Sequence, residues 1–282
     1  MRSASRPTFS RRQVLHALGA AGVGIVTGGA GYGYLYERTR IEVTRSSVPV
    51  SGLPEPLHGL RVGLLTDLHA SSTVPAAHIQ RAASLLLAER PDLIALGGDY
   101  ISWFDTRYAT PCADALASLT APHGVYAVLG NHDDDTEVPA ALAAQGFTVL
   151  KDARTRVTIR GERLDIAGLR FWTRRTTEVA GVLRGATTPV LLLAHDPRRL
   201  VDASALDVSV VLSGHTHGGQ VVLPGLGALA ARGHGYPGVA GLVRRENTTL
   251  FVSRGVGTVY VPVRLNCPPE VAILTLQRQS EI

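Results

Sequence analysis

Along most of this chain, short apolar runs alternate with amphipathic stretches, and several of the runs end in the same way. The run Val208, Val210, Val211 and Leu212 is rich in β-branched residues and reads as a strand covered on both faces. It stops in Gly214-His215-Thr216-His217-Gly218-Gly219, two histidines among glycines that free the backbone from ordinary φ/ψ limits. Four earlier runs also stop at polar residues. "RVGLL" leads to Asp67 and His69, "DLIALGG" to Asp99, "VYAVLG" to Asn131, His132 and Asp133, and "PVLLLA" to His195 and Asp196. Between them, Ile79, Ala82, Ala83 and Leu86 follow an i, i+3, i+4, i+7 spacing and predict a helix that Arg90-Pro91 closes. A second helical stretch is predicted over 113–119. A hairpin is predicted over 157–169, turning at Gly161-Glu162, and late strands in "TTLFVSR" and "EVAILTL".

In α/β sheets, ligand sites gather where strands deliver residues into loops at their carboxyl ends. A lone histidine at such an end is ordinarily a polar loop residue. Here five apolar strands in succession end in Asp-x-His, Gly-Asp, Gly-Asn-His-Asp, His-Asp and Gly-His-x-His, which an ordinary loop composition does not explain. Mixed oxygen and nitrogen donors of this kind suit Mn, Fe or Zn, and a pair of close ions needs a bridging carboxylate. His16, His58, His78, His123 and His234 fall outside these ends and are read as ordinary histidines.

The composition bounds the alternatives. With 45% hydrophobic and 18% charged residues, most of the 282-residue chain is globular rather than disordered. The net charge of +5 is unevenly placed: Arg2, Arg6, Arg11 and Arg12 precede the first acid, Glu37, so the first 36 residues hold +4 and the remainder +1. A nucleic-acid-binding surface therefore does not follow from the basic balance, and 5% aromatic residues are too few for base-stacking platforms. Cys112 and Cys267 form no CxxC and read as buried apolar residues. No GxSxG elbow, HExxH or P-loop competes for the assignment.

The leader "SRRQVLH", followed by an uncharged Gly/Ala-rich stretch over 13–36, resembles a twin-arginine export signal. An ordinary secretory signal or a membrane anchor is the alternative, since about 20 residues can span a bilayer. Tyr32, Tyr34 and Tyr36 can mark a membrane interface. The expected organisation is a signal or anchor over 1–40, a linker and first strand over 41–59, and a catalytic domain over 60–282.

The ordered set Asp67-x-His69, Gly98-Asp99, Gly130-Asn131-His132-Asp133, His195-Asp196 and Gly214-His215-x-His217 resembles the calcineurin-like metallophosphoesterases. The leader, the "GLRVGLLTDLH" entry, "SGHTHGGQ" and the tail "SRGVGTVYVPVRLNCPPE" look like the small exported bacterial phosphodiesterases of YkuE and YaeI type. The resemblance implies an α/β fold, a two-sheet αββα sandwich, and a site for two divalent ions. By that resemblance Asp67, His69 and His217 hold one ion, Asp99 bridges, and Asn131, His195 and His215 hold the other. His132 acts at the leaving-group oxygen, oriented by an acid such as Asp133 or Asp99. Asp196 supports the ligands from behind, and Arg264 is a candidate phosphate grip, because arginine binds phosphate bidentately.

The implied reaction is hydrolysis of a phosphoester, preferably a diester, by in-line attack of metal-activated water outside the cytoplasmic membrane. Its expected partners are the twin-arginine export machinery, the membrane, and a phosphoester substrate that is lipid-linked or nucleotide-linked. Nucleic acid is not expected. Apolar segments over 221–229 and 239–243 are candidates for contact with acyl chains. The alternative function is a catalytically silent, membrane-anchored scaffold of the same fold; it predicts decay of at least one ligand position, and every position keeps its residue type.

Overall fold

The computed structural model describes residues 10–187 and 189–279, so Arg2 and Arg6 of the leader lie outside the described residues. The described residues open with helix α1 (Arg11–Leu35), whose start the Ser10–Gln13 stretch itself supplies. The Ser10 hydroxyl accepts the Gln13 N–H at 3.3 Å and the Gln13 side chain accepts the Ser10 N–H at 2.9 Å, a capping box written in "SRRQ". This helix is long and apolar enough to cross a membrane, and its body stands free of the domain.

Twelve strands build two six-stranded mixed sheets. In the first sheet, β1 (Glu42–Val50) lies at one edge, followed in space by β14 (Glu270–Arg278), β2 (Arg61–Leu65), β3 (Leu93–Leu96), β4 (Val125–Ala127) and β5 (Thr148–Val149). In the second, the order is β12 (Gly241–Arg245), β13 (Thr248–Val252), β9 (Val210–Ser213), β8 (Val190–Ala194), β7 (Glu162–Leu169) and β6 (Ala153–Ile159). A small ribbon, β10 (Val222–Leu223) with β11 (Gly227–Ala228), stands apart.

Alternation along the strands makes three cores from these layers. Val62, Leu64, Leu93 and Ala95 meet Leu191, Leu193, Val210 and Leu212 between the sheets. The intervening residues point outward: Ile94 and Leu96 pack with helices α2 (Ala76–Ala88), α3 (Ala109–Leu116) and α4 (Glu137–Ala144). Leu192, Ala194 and Val211 pack with α5 (Thr176–Leu183) and α6 (Leu200–Ala205). Both faces of each central strand are thus covered, which is why the sequence reads as unbroken apolar runs. Ile79, Ala82, Ala83 and Leu86 of α2 are all buried in the outer core as their spacing predicts, and each large side chain there contributes about 1.5–3 kcal/mol. The hairpin forms as expected from β6 and β7. Helix α3 begins four residues before its predicted start at 113, because a 3-10 turn over Thr106–Tyr108, capped by the Asp105 carboxylate, leads into it. Cys112 and Cys267 are buried and unpaired.

β2, β3 and β4 run parallel, as do β7, β8 and β9. All the strands that end in acidic, amide and histidine residues therefore deliver them to one edge of the sandwich.

Candidate metal centre

Among the described residues, two groups of ligand atoms lie close enough to hold a cation. Asp67, His69, Asp99 and His217 form one, with ligand atoms within 4.8 Å of one another; Asp99, His195 and His215 form the other within the same limit. Asp99 belongs to both. Its Oδ2 lies 3.4 Å from His69 Nε2 and 3.1 Å from His195 Nε2, while Asp67 Oδ1 lies 3.4 Å from His217 Nε2.

The backbone bends sharply to bring these atoms together. Asp67, His69, Asp99, His215 and His217 all have φ between 50° and 71°, a left-handed region costly for residues with a Cβ and tolerated where the surrounding structure enforces it. Two glycines make room. A Cβ on Gly130 would collide with the Asp99 carboxylate, and one on Gly214 with the Asp67 carboxylate and the Thr66 hydroxyl.

Hydrogen bonds set the imidazole tautomers so that lone pairs face inward. His195 Nδ1 donates to the Gly97 carbonyl at 2.8 Å, and His69 Nδ1 lies 3.2 Å from Ser102 Oγ, whose hydroxyl donates in turn to the His69 carbonyl. His69 Nε2 then faces His217 Nε2 at 3.1 Å. Two nitrogens about 2.1 Å from one cation sit about 3.0–3.4 Å apart across octahedral and tetrahedral geometries, so this spacing matches two nitrogens on a shared cation. Burial and the neighbouring His69 hold His217 well below the ordinary histidine range, so its ring is neutral and offers a lone pair.

At His195, burial opposes protonation, yet Asp99 and Asp67 raise it to about 10. The carboxylates demand a positive charge where the histidine lone pair points. Burial and His195 push His215 the other way, down to about 4, leaving its ring free to ligate. Asn131 Oδ1 is buried without a donor, an unsatisfied oxygen that a cation would complete. The donor set thus fits divalent metal, with Asp99 shared between the groups.

His132 lies at the mouth beside these groups. Its backbone N–H donates to Asp99 Oδ1 at 2.8 Å, and its Nδ1 accepts the Trp103 N–H at 3.1 Å. This corrects the expectation that a carboxylate orients the ring. Because Nδ1 is an acceptor, the neutral ring keeps its proton on Nε2. Asp133 serves the scaffold instead, accepting the N–H groups of Asp99, Tyr100, Ile101 and Gly130 at 2.7–3.2 Å. Burial and Asp99 raise Asp133 to about 7, while those four donors favour the ionised form. Asp196 pairs with Arg198, Oδ2 to Nη2 at 2.7 Å, and caps the turn after β8.

Arg264 does not grip a phosphate in this fold. It is 0% exposed, and its guanidinium donates to the carbonyls of Arg254, Gly255, Gly257 and Cys267 at 2.6–3.1 Å. Those carbonyls belong to the loop whose Gly255 and Gly257 lie against Asp67, so Arg264 braces the first ligand loop from beneath. Arg264→Met, which leaves these carbonyls unsatisfied, is expected to destabilise the protein by about 3–5 kcal/mol. Thermal unfolding reads this directly, and an unchanged midpoint would remove the bracing role.

A cavity of about 380 Å³ opens from Asp99, Asn131, His132, His215 and His217. Its outer wall holds residues that the sequence did not single out: Gln220, His234, Tyr236 and Tyr260. The Gln220 amide holds the Tyr260 loop, donating to the Val259 and Val261 carbonyls and accepting the Val259 N–H at 2.8–3.0 Å. His234 stacks on Tyr236, 5.6 Å between ring centroids. Only the Gly-Gln ending of "SGHTHGGQ" hinted at any of these; His234 and Tyr236 sit in a Gly-rich stretch with no periodic signal.

Two sheets whose parallel strands bring Asp, Asn and His ligands to a common edge define a metal-dependent phosphoesterase. The calcineurin-like phosphoesterase family profile matches residues 60–219, and the chain belongs to that family. It is 31% identical to the metallophosphoesterase YkuE of Bacillus subtilis (strain 168), over 95% of this chain and 98% of that protein. It is equally 31% identical to phosphodiesterase YaeI of Escherichia coli (strain K12), over 95% of this chain and 99% of that one. A transmembrane protein with a metallophosphoesterase domain from Danio rerio is 31% identical over 88% of this chain, which spans 60% of that longer protein.

Proposed function

We propose that this enzyme is a phosphodiesterase that uses two divalent cations, acts outside the cytoplasmic membrane, and takes a lipid-linked or nucleotide-linked substrate. The observation that carries the two-ion reading is the sharing of Asp99 between two ligand groups. Asp67, His69 and His217 complete the first group, and Asn131, His195 and His215 the second. Bound there, divalent cations would supply Lewis acidity and bring the pKa of water down to about 7. The chain's own part is to fix the geometry: Gly97 and Ser102 hold the ligand rings, Asp133 holds the Asp99 turn, and Arg264 holds the Asp67 loop. His132, with its proton on Nε2, donates to the leaving-group oxygen as charge develops there. The YaeI relative, named a phosphodiesterase, supports the diester preference.

With Mn²⁺ added, the purified protein is expected to hydrolyse bis(p-nitrophenyl) phosphate faster than p-nitrophenyl phosphate. Chelation with EDTA should abolish turnover and fresh divalent ions restore it; full activity in excess chelator would end the metal-dependent reading.

The same proposal places the enzyme across the membrane by twin-arginine export. Ser10, Arg11 and Arg12 open α1, and the helix that follows is uncharged through Tyr36. Replacing Arg11 and Arg12 together by lysine preserves charge and helix, so it should leave the chain in the cytoplasm if the arginine pair is read by the export machinery. Fractionation that shows undiminished export would remove this part.

A further inference from the structure

The anchor helix and the catalytic mouth are fastened to each other. Near its end, α1 presents Gly29 and Gly33 to the loop after β13; a Cβ on Gly33 would strike the Arg264 carbonyl and the Val263 side chain. Arg264 N–H donates to the Gly33 carbonyl at 3.3 Å, and Cys267 N–H donates to the buried Glu37 carboxylate at 2.6 Å. The same loop continues through Tyr260 and Val261 into the cavity wall, and Val222 N–H donates to the Leu265 carbonyl, joining the β10–β11 ribbon to it. The helix end, this loop and the ribbon are therefore one connected body at the mouth.

That body and the neighbouring turn after β3 carry an apolar rim. Trp103, Phe104, Leu226, Leu229, Tyr260 and Val261 are all substantially exposed, Tyr260 by 81%, and Trp103 touches Tyr260 edge-on with centroids 5.0 Å apart. A soluble protein in water seldom leaves such a patch uncovered.

The helix fixes what covers it. At 1.5 Å per residue, the 25 residues of α1 reach about 37 Å, more than the roughly 30 Å of a bilayer's hydrocarbon core. Val14, Leu15, Leu18, Val23 and Val26 are exposed along it, and Tyr32, Tyr34 and Tyr36 form an exposed aromatic belt at its end. Such belts sit at headgroup depth. Gly33, inside the belt, is the residue bonded to the rim loop. We infer that the rim of the catalytic mouth docks on the bilayer surface, with Trp103, Phe104, Tyr260, Val261, Leu226 and Leu229 dipping into the headgroup region beside α1. Arg38, whose guanidinium lies over the Tyr34 ring and donates to the Thr73 carbonyl, and Arg232, which donates to the Leu226 carbonyl, place cationic side chains beside the belt and the rim. The cleft then faces phosphoesters held at the membrane surface. The inference rests on the reading of α1 as a retained anchor and is separable from the phosphodiesterase reading.

The test uses the full chain in proteoliposomes. The protein has two tryptophans, so Trp172→Phe leaves Trp103 as the single reporter. Docking predicts that lipids brominated near the carbonyl end of their chains quench Trp103 more strongly than lipids brominated near the methyl end, and that acrylamide in the water quenches it weakly. Phe104→Ser, Leu226→Ser and Leu229→Ser combined should abolish most of the lipid quenching while hydrolysis of the soluble diester is unchanged. Trp103 fully open to acrylamide and untouched by bromolipid, in protein that still co-sediments with the vesicles, would overturn the docking alone. Failure to co-sediment would overturn docking and anchor together, and neither result bears on diester hydrolysis, which is read separately.

Discussion

Asp99→Ala is expected to reduce diester hydrolysis to less than about a hundredth of the starting activity and to empty the centre of metal. Partners one step removed from a metal are worth about 10–100-fold when removed, and a ligand shared by two ions should exceed that. The geometry explains why no neighbour compensates. Asp99 Oδ2 is the atom that lies 3.1 Å from His195 and 3.4 Å from His69, while Oδ1 receives the His132 N–H at 2.8 Å. Burial disfavours the Asp99 charge, but His195 and His69 hold its carboxyl well below the usual carboxylate range, so it stays ionised for binding. Metal content per chain, measured by inductively coupled plasma mass spectrometry, should fall together with turnover. Asp99→Asn, which keeps an acceptor for His132, separates loss of charge from collapse of the loop: folding should persist and metal should still be lost. Wild-type activity after Asp99→Ala would contradict the bridging role outright.

His132→Ala should behave differently, with metal retained and kcat lowered by about 10²–10⁴-fold, the range for a positioned proton donor or acceptor. His132 falls in neither ligand group, it lines the cavity, and its Nδ1 is occupied by the Trp103 N–H, so Nε2 is the ring nitrogen left free to donate. Glutamine places an N–H near the Nε2 position. His132→Gln should therefore recover part of the rate that alanine loses, if hydrogen-bond donation to the leaving group is the function. Loss of metal from His132→Ala would instead make the residue a ligand. The two substitutions form a pair: one removes the ions and the reaction, the other the reaction alone.

How far the sequence reached can be seen by comparing these two residues with their supports. Asp99 and His132 were legible because each follows directly on an apolar strand, and strand burial on both faces is a local, periodic signal. The parallel order of β2, β3, β4 and of β7, β8, β9 then brings their ends to one edge, so the candidate ligands converge as a consequence of the fold class. The supports left no such trace. The group that orients His132 is a main-chain N–H, which every residue but proline carries, so nothing in the letter Trp103 announces it.

Arg264 shows the same limit from the other side. Its residue type suits a phosphate, and only the packed loop reveals four carbonyls that claim the guanidinium first. His234, read as ordinary, reaches the cavity wall because the Gly-rich segment that carries it folds back over the mouth. Gly33 looked like one glycine of many in a weakly apolar leader, and the tertiary contact with Val263 and Arg264 made it the seat of the helix on the domain. By itself, then, the amino-acid order determined the alternation of strands and helices and the residue types at the strand ends, because both follow from short-range apolar periodicity and what succeeds it. Tertiary structure alone decided which groups orient, brace and surround that centre, because those tasks fall to backbone donors, carbonyls and close approaches between segments distant along the chain.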